Sequence, residues 1–86
     1  MKLKVFTKMD CPNCPAAKKI AEQLESEGAP VEWYDLDEEL GLTEAVFYDV
    51  LSTPSLIITD KEGVELKAWR GEVPSINQVK KELNIN

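Results

Sequence analysis

Cys11-Pro12-Asn13-Cys14 holds the two thiols of this sequence at a spacing suited to redox chemistry. A Cys-x-x-Cys pair at a helix start can close a disulfide within one turn. There the first thiol faces unpaired backbone N–H groups at the positive end of the helix dipole. Both features favour the thiolate, and such sites bring a thiol from about 8.5 down to roughly 3.5–7.5. This reading makes Cys11 the attacking nucleophile and Cys14, further into the helix, the resolving thiol. Lys8, three residues earlier, and Lys18, one turn beyond Cys14, add positive potential, while Asp10 either opposes it or caps the helix.

Other uses of the pair are weaker. A four-residue loop closes little unfolded-state entropy, which argues against a purely structural bridge. A closed zinc site needs four ligands, and with no histidine one chain supplies half of them. An inert buried pair, or a metal or cluster held between two chains, stays open.

The elements that must position the pair are legible in the hydrophobic spacing. Residues 2–7 alternate as a half-buried strand, and Val31-Glu32-Trp33-Tyr34-Asp35-Leu36 gives a second. Between them, Ala17, Ile20, Ala21 and Leu24 recur at helical spacing, with Gly28 as the stop. Pro15 removes an N–H at the border of the helix's unpaired set and predicts a distorted first turn that alters access to Cys14. Thr43 is read as the N-cap of a short helix through Leu51 whose apolar face is Val46, Phe47, Val50 and Leu51. Residues 55–59 form a buried strand, 60–63 a hairpin turn and 64–69 a returning strand. Pro74 then opens a last helix carrying Ile76, Val79, Lys80 and Leu83.

The order βαβαββα predicts one mixed sheet with helices on its faces, the cysteines lying just past a strand's C-terminus where ligand chemistry gathers. Trp33 and Trp69 read as sheet packing, Tyr48 as helix surface, and Asp35-Leu36-Asp37-Glu38-Glu39 as a solvated connection.

With 86 residues, 43% apolar and 30% charged, the sequence is expected to form a single domain over residues 1–86. A net charge of −6 without a basic run longer than two excludes a nucleic-acid footprint. The lysine-studded N-terminus is neither a signal peptide nor a membrane anchor, so a cytoplasmic location and no membrane partner are expected.

Phe6-Thr7-Lys8-Met9-Asp10-Cys11-Pro12-Asn13-Cys14 resembles the opening of glutaredoxins within the thioredoxin superfamily, and Ser52-Thr53-Pro54-Ser55 resembles the superfamily's cis-proline loop. The resemblance implies a thioredoxin fold with a four-stranded mixed sheet flanked by three helices, and a cis bond before Pro54. It implies that Cys11 and Cys14 reduce protein disulfides, assisted by Lys8, with Pro12, Asn13, Thr53, Pro54 and Gly71 in the substrate groove. The implied partners are disulfide-containing proteins and an upstream disulfide reductase. The protein is expected to work as a monomeric electron carrier in redox homeostasis, without a cofactor.

The sequence departs from glutaredoxins at Asn13, where an aromatic residue is usual, and lacks the glutathione-holding Gly-Gly pair after Trp69. It departs from thioredoxins as well, with no Trp before Cys11 and with Val5 where a buried Asp is usual. A thioredoxin-type donor is the preferred reading. A glutaredoxin using glutathione as co-substrate, a non-catalytic module and a dimeric metal or cluster carrier are the alternatives.

Overall fold

A computed structural model describes residues 1–84; the last two residues of the expected domain, 85–86, lie outside the described ones. Seven elements follow in the expected order: β1 (Lys2–Thr7), α1 (Cys14–Ser26), β2 (Val31–Asp35), α2 (Glu39–Phe47), β3 (Ser55–Thr59), β4 (Glu65–Arg70) and α3 (Ile76–Glu82). The strands form one sheet in the order β2-β1-β3-β4, with β1 parallel to β2 and the other pairs antiparallel. No helix among the described residues is long and apolar enough to cross a membrane.

The period of two in the strands divides the core into two layers. Leu3 and Val5 of β1, Leu56 and Ile58 of β3 and Trp69 of β4 pack against Ala17, Ala21 and Leu24 of α1 and against Val79 and Leu83 at the α3 end. Phe6 and Ile57 point the other way, onto Ala45, Tyr48 and Val50. Each such fully buried large side chain contributes about 1.5–3 kcal/mol relative to exposure.

Four sequence expectations are corrected here. The second helix begins at Glu39, not Thr43, and the Thr43 hydroxyl donates back to the Glu39 carbonyl at 2.9 Å. An earlier start is possible because Gly41 lies directly on the Asp35 backbone, where a Cβ would collide with the Asp35 carbonyl. The helix also stops at Phe47, and Asp49 takes a left-handed φ of 61°. That turn returns Val50 to the core and sends Val46, Phe47 and Leu51 to solvent, so the expected apolar face does not form. Tyr48, expected on the surface, is buried instead, and its hydroxyl donates to the Gly63 carbonyl at 2.6 Å.

Trp69 is core as expected, whereas Trp33 packs on edge strand β2 and keeps 39% of its surface exposed. Pro74 precedes the last helix rather than opening it. Ser75 is the cap, its hydroxyl accepting from the Gln78 amide while the Gln78 side chain accepts from the Ser75 amide.

Beneath α2 lies an ion cluster that alternation alone would have turned outward. Lys4 is 5% exposed, and its Nζ reaches Glu32 at 2.7 Å, Glu44 at 2.9 Å and the Tyr34 hydroxyl at 3.2 Å. Burial pulls the ammonium toward the neutral form, but the hydrogen bonds to Glu32, Glu44 and Tyr34 together outweigh it and hold the proton more tightly than usual. The same bonds, Lys4 first, hold the Glu32 carboxyl down to about 2 against its own desolvation.

Candidate active site

The strand register brings four chain segments to one end of the sheet. Thr7 stands level with Asp35, Phe6 with Ser55, and Ser55 with Arg70. Consequently the cysteine loop after β1, the Leu36–Glu38 turn after β2, the Ser52–Pro54 approach to β3 and Gly71 after β4 all meet at that edge.

Cys11 and Cys14 are joined as a disulfide with Cα atoms 5.3 Å apart. Their environments differ: Cys11 is half-buried in the turn before α1, while Cys14 is 2% exposed as the first helical residue. The pair lies at the helix start as expected, with Asn13 as the cap and Cys11 two residues before it. Asp10 is not the cap; it adopts a left-handed φ of 58° in the preceding turn.

Pro15 accounts for the boundary. Amides in the first turn have no intrahelical acceptor, so a helix starting at Cys14 places the missing N–H where none is needed. A start near Cys11 would have required that amide to donate. The expected distortion of the first turn is thus replaced by a shift of the helix start.

The bond between Thr53 and Pro54 is cis, as the resemblance implied. Pro54 is buried and Thr53 half-buried. Their loop is strapped to the end of β4, because the Gly71 amide donates to the Pro54 carbonyl at 3.0 Å and to Ser55 Oγ at 3.2 Å. Ser55 Oγ in turn donates to the Ser52 carbonyl at 2.7 Å. Gly71 needs its freedom: φ is 71°, and a Cβ there would strike Ser52 Oγ.

Lys8, Pro12 and Asn13 are exposed in the cysteine loop and its entry to α1, beside the bonded pair in sequence. A residue that spacing did not reveal is Asp37, whose carboxylate accepts the Met9 amide at 2.8 Å and so ties the cysteine loop to the end of β2. The Asp37 amide itself donates to Asp35 Oδ1 at 2.8 Å. The local Asp-x-Asp pattern was the available signal, since such side chains commonly accept backbone amides in turns.

Chemically, this arrangement presents a dithiol/disulfide couple at the end of the sheet where the Thr53–Pro54 loop enters β3. Exchange requires a thiolate, a leaving thiol and access.

Residues 1–84 match a family described as the thioredoxin domain. A protein described as a probable thioredoxin from Archaeoglobus fulgidus is 33% identical over 60 residues, covering 69% of this chain and 66% of that protein. A thioredoxin from Methanocaldococcus jannaschii is 31% identical over 61 residues, covering 67% of this chain and 69% of the relative. The chain thus spans about two thirds of the length of these relatives.

Among solved structures, thioredoxin 1 from Thermosipho africanus superposes with a TM-score of 0.70 at 26% identity, over 98% of this chain and 91% of that one. A thioredoxin-like protein from Clostridium perfringens does so with a TM-score of 0.81 at 26% identity, over 96% and 68% respectively. These likenesses agree with the expected fold, a four-stranded mixed sheet with three helices.

Proposed function

The chain belongs to the thioredoxin-domain family, and from that membership we propose that it is a thioredoxin-type thiol–disulfide oxidoreductase whose reducing equivalents come from Cys11 and Cys14. The observation that supports the division of labour is the unequal exposure of the pair, Cys11 half-buried and Cys14 2% exposed, which favours Cys11 as the attacking sulfur and Cys14 as the sheltered one.

In the reduced protein the Cys11 thiolate attacks one sulfur of a client disulfide. A Cys11–client bond forms, the client S–S bond breaks, and the leaving client thiolate takes up a proton. Cys14, having lost its proton, then attacks Cys11. The mixed disulfide breaks, the second client thiolate is released and protonated, and the protein keeps the Cys11–Cys14 bond. Two electrons and two protons have passed to the client.

Lys8 supplies positive potential beside this chemistry. Pro12, Asn13, Thr53, Pro54 and Gly71 form the client surface, with Thr53 offering main-chain hydrogen bonds to an extended segment. The clients are disulfide-bearing proteins, and a disulfide reductase returns the carrier to its dithiol form. The carrier works in the cytoplasm as a monomer and needs no bound cofactor; glutathione takes no part in this cycle.

Equilibrating the pair against defined thiol–disulfide buffers, with mass spectrometry for adducts, tests the assignment. A potential near about −270 mV without a glutathione adduct is expected. A value near about −200 to −230 mV with such an adduct would move the protein to glutathione-dependent chemistry.

A further inference from the structure

A groove of about 530 Å³ opens between the C-terminal end of α2 and the turn joining β3 to β4. Its walls turn apolar side chains to solvent: Val46 is 70% exposed and Phe47 74%, with Val64 facing them from the turn. Its acidic lining residues are Asp49, Glu62 and Glu65. The cation in the lining, Arg70, is already engaged, donating to the Tyr48 carbonyl at 2.8 Å and to Glu65 at 2.6 Å. Asp49 and Glu62 form no ion pair among the described residues.

Exposed aromatic and aliphatic groups beside unneutralised carboxylates complement a surface that offers a cation flanked by apolar side chains. A second copy of this chain, with its net charge of −6, is a poor match.

The groove lies toward the far end of β3 from the cysteines, and the segment between Asp49 and Thr53 links it to the redox end of the sheet. Asp49 lies four residues before Thr53, and Leu51 between them is 92% exposed. Arg70 immediately precedes Gly71, whose amide holds the Pro54 carbonyl. A client long enough to span the length of β3 can touch Thr53 and the groove together.

We infer that this groove is a second contact surface for disulfide-bearing protein clients, taking a client segment that presents Lys or Arg beside aliphatic or aromatic side chains. The inference rests on the exchange reading above and adds selectivity to it: clients with such a segment near the disulfide are held, while acidic ones are repelled.

Two peptides test this, sharing one disulfide loop and a Gly-Ser linker but ending in Lys-Leu-Lys-Phe or Glu-Leu-Glu-Phe. Pre-reduced protein is mixed with each, and rates are corrected by each peptide's own rate with dithiothreitol. The cationic peptide is expected to react about tenfold faster, the scale of electrostatic steering. In the doubly substituted Val46→Ser, Glu62→Lys protein that ratio falls toward one, while reduction of a small aromatic disulfide is unchanged and reports an intact fold.

Equal rates with the native protein, or an undiminished ratio in the variant, would overturn the inference. If neither peptide is reduced, the exchange reading has failed instead. A cysteine-free Lys-Leu-Lys-Phe peptide then decides on the groove alone: NMR shifts at Phe47 and Val64 support docking, and their absence overturns it.

Discussion

The Met9 amide donates to the Asp37 carboxylate at 2.8 Å, bridging the ends of β1 and β2 two residues before Cys11. Removing the acceptor frees the loop that carries Cys11. Asp37→Ala is expected to slow single-turnover reduction of a peptide disulfide roughly fivefold, the rate equivalent of about 1 kcal/mol for one hydrogen bond. Asp37→Asn restores most of the rate, because its amide oxygen accepts the same bond. An Asp37→Ala protein as fast as the native one would show that the bridge does not position the loop.

Lys4 is a structural cation rather than a reactive one. Lys4→Ala leaves a gap beneath α2 and two carboxylates without their partner, and urea denaturation should report a loss of roughly 2–4 kcal/mol. Lys4→Met keeps the apolar stem, and Glu32 and Glu44 retain access to water, so its cost should stay within about 1 kcal/mol. Equal losses in the two variants would contradict this division between packing and charge.

The same cluster sets a pH dependence. Glu32 is held down to about 2 from an ordinary 4.5, so its contribution is present above 4.5 and lost as pH falls toward 2. Lys4 is raised above its ordinary 10.5, so its contribution is present below that value and lost at more alkaline pH. Denaturation midpoints should decline between pH 4.5 and 2, with a shallower decline in Lys4→Met. An unchanged acid slope in that variant would separate Glu32 from Lys4.

Gly71 combines a left-handed φ with no room for a Cβ beside Ser52. Gly71→Ala should cost about 1–2 kcal/mol from the backbone conformation alone, with a further steric part. Adding Ser52→Ala should recover the steric part, since it removes the atom that the new Cβ meets. Recovery of the entire loss would mean that backbone strain plays no part.

The element order, the cysteine pair and the Thr53–Pro54 step were legible because each is written locally, as periodicity, as Cys-x-x-Cys spacing, or as a Pro entering a strand. Helix boundaries were not. Gly41 reads as a loop residue until the sheet brings the Asp35 backbone beneath it, and only then does a helix starting at Glu39 follow. Pro15 reads as a disturbance until the start of α1 is known. Lys4 sits in a strand that alternates correctly, but α2 covers the face it points to, and the carboxylates that receive it come from 28 and 40 residues away. The Asp37–Met9 bond also spans 28 residues, so the local Asp-x-Asp pattern marks the turn but not the partner that Asp37 takes.

The most direct test of the exchange chemistry is to trap it. Cys14→Ser protein, pre-reduced and mixed with a peptide disulfide, is analysed by mass spectrometry after acid quench and proteolysis. The expected product is a stable mixed disulfide between Cys11 and the peptide, formed at a rate close to the first step of the native protein, while Cys11→Ser yields no adduct. An adduct on Cys14 in Cys11→Ser, with none on Cys11 in Cys14→Ser, would reverse the assigned roles; no adduct in either would contradict thiol–disulfide exchange at this site.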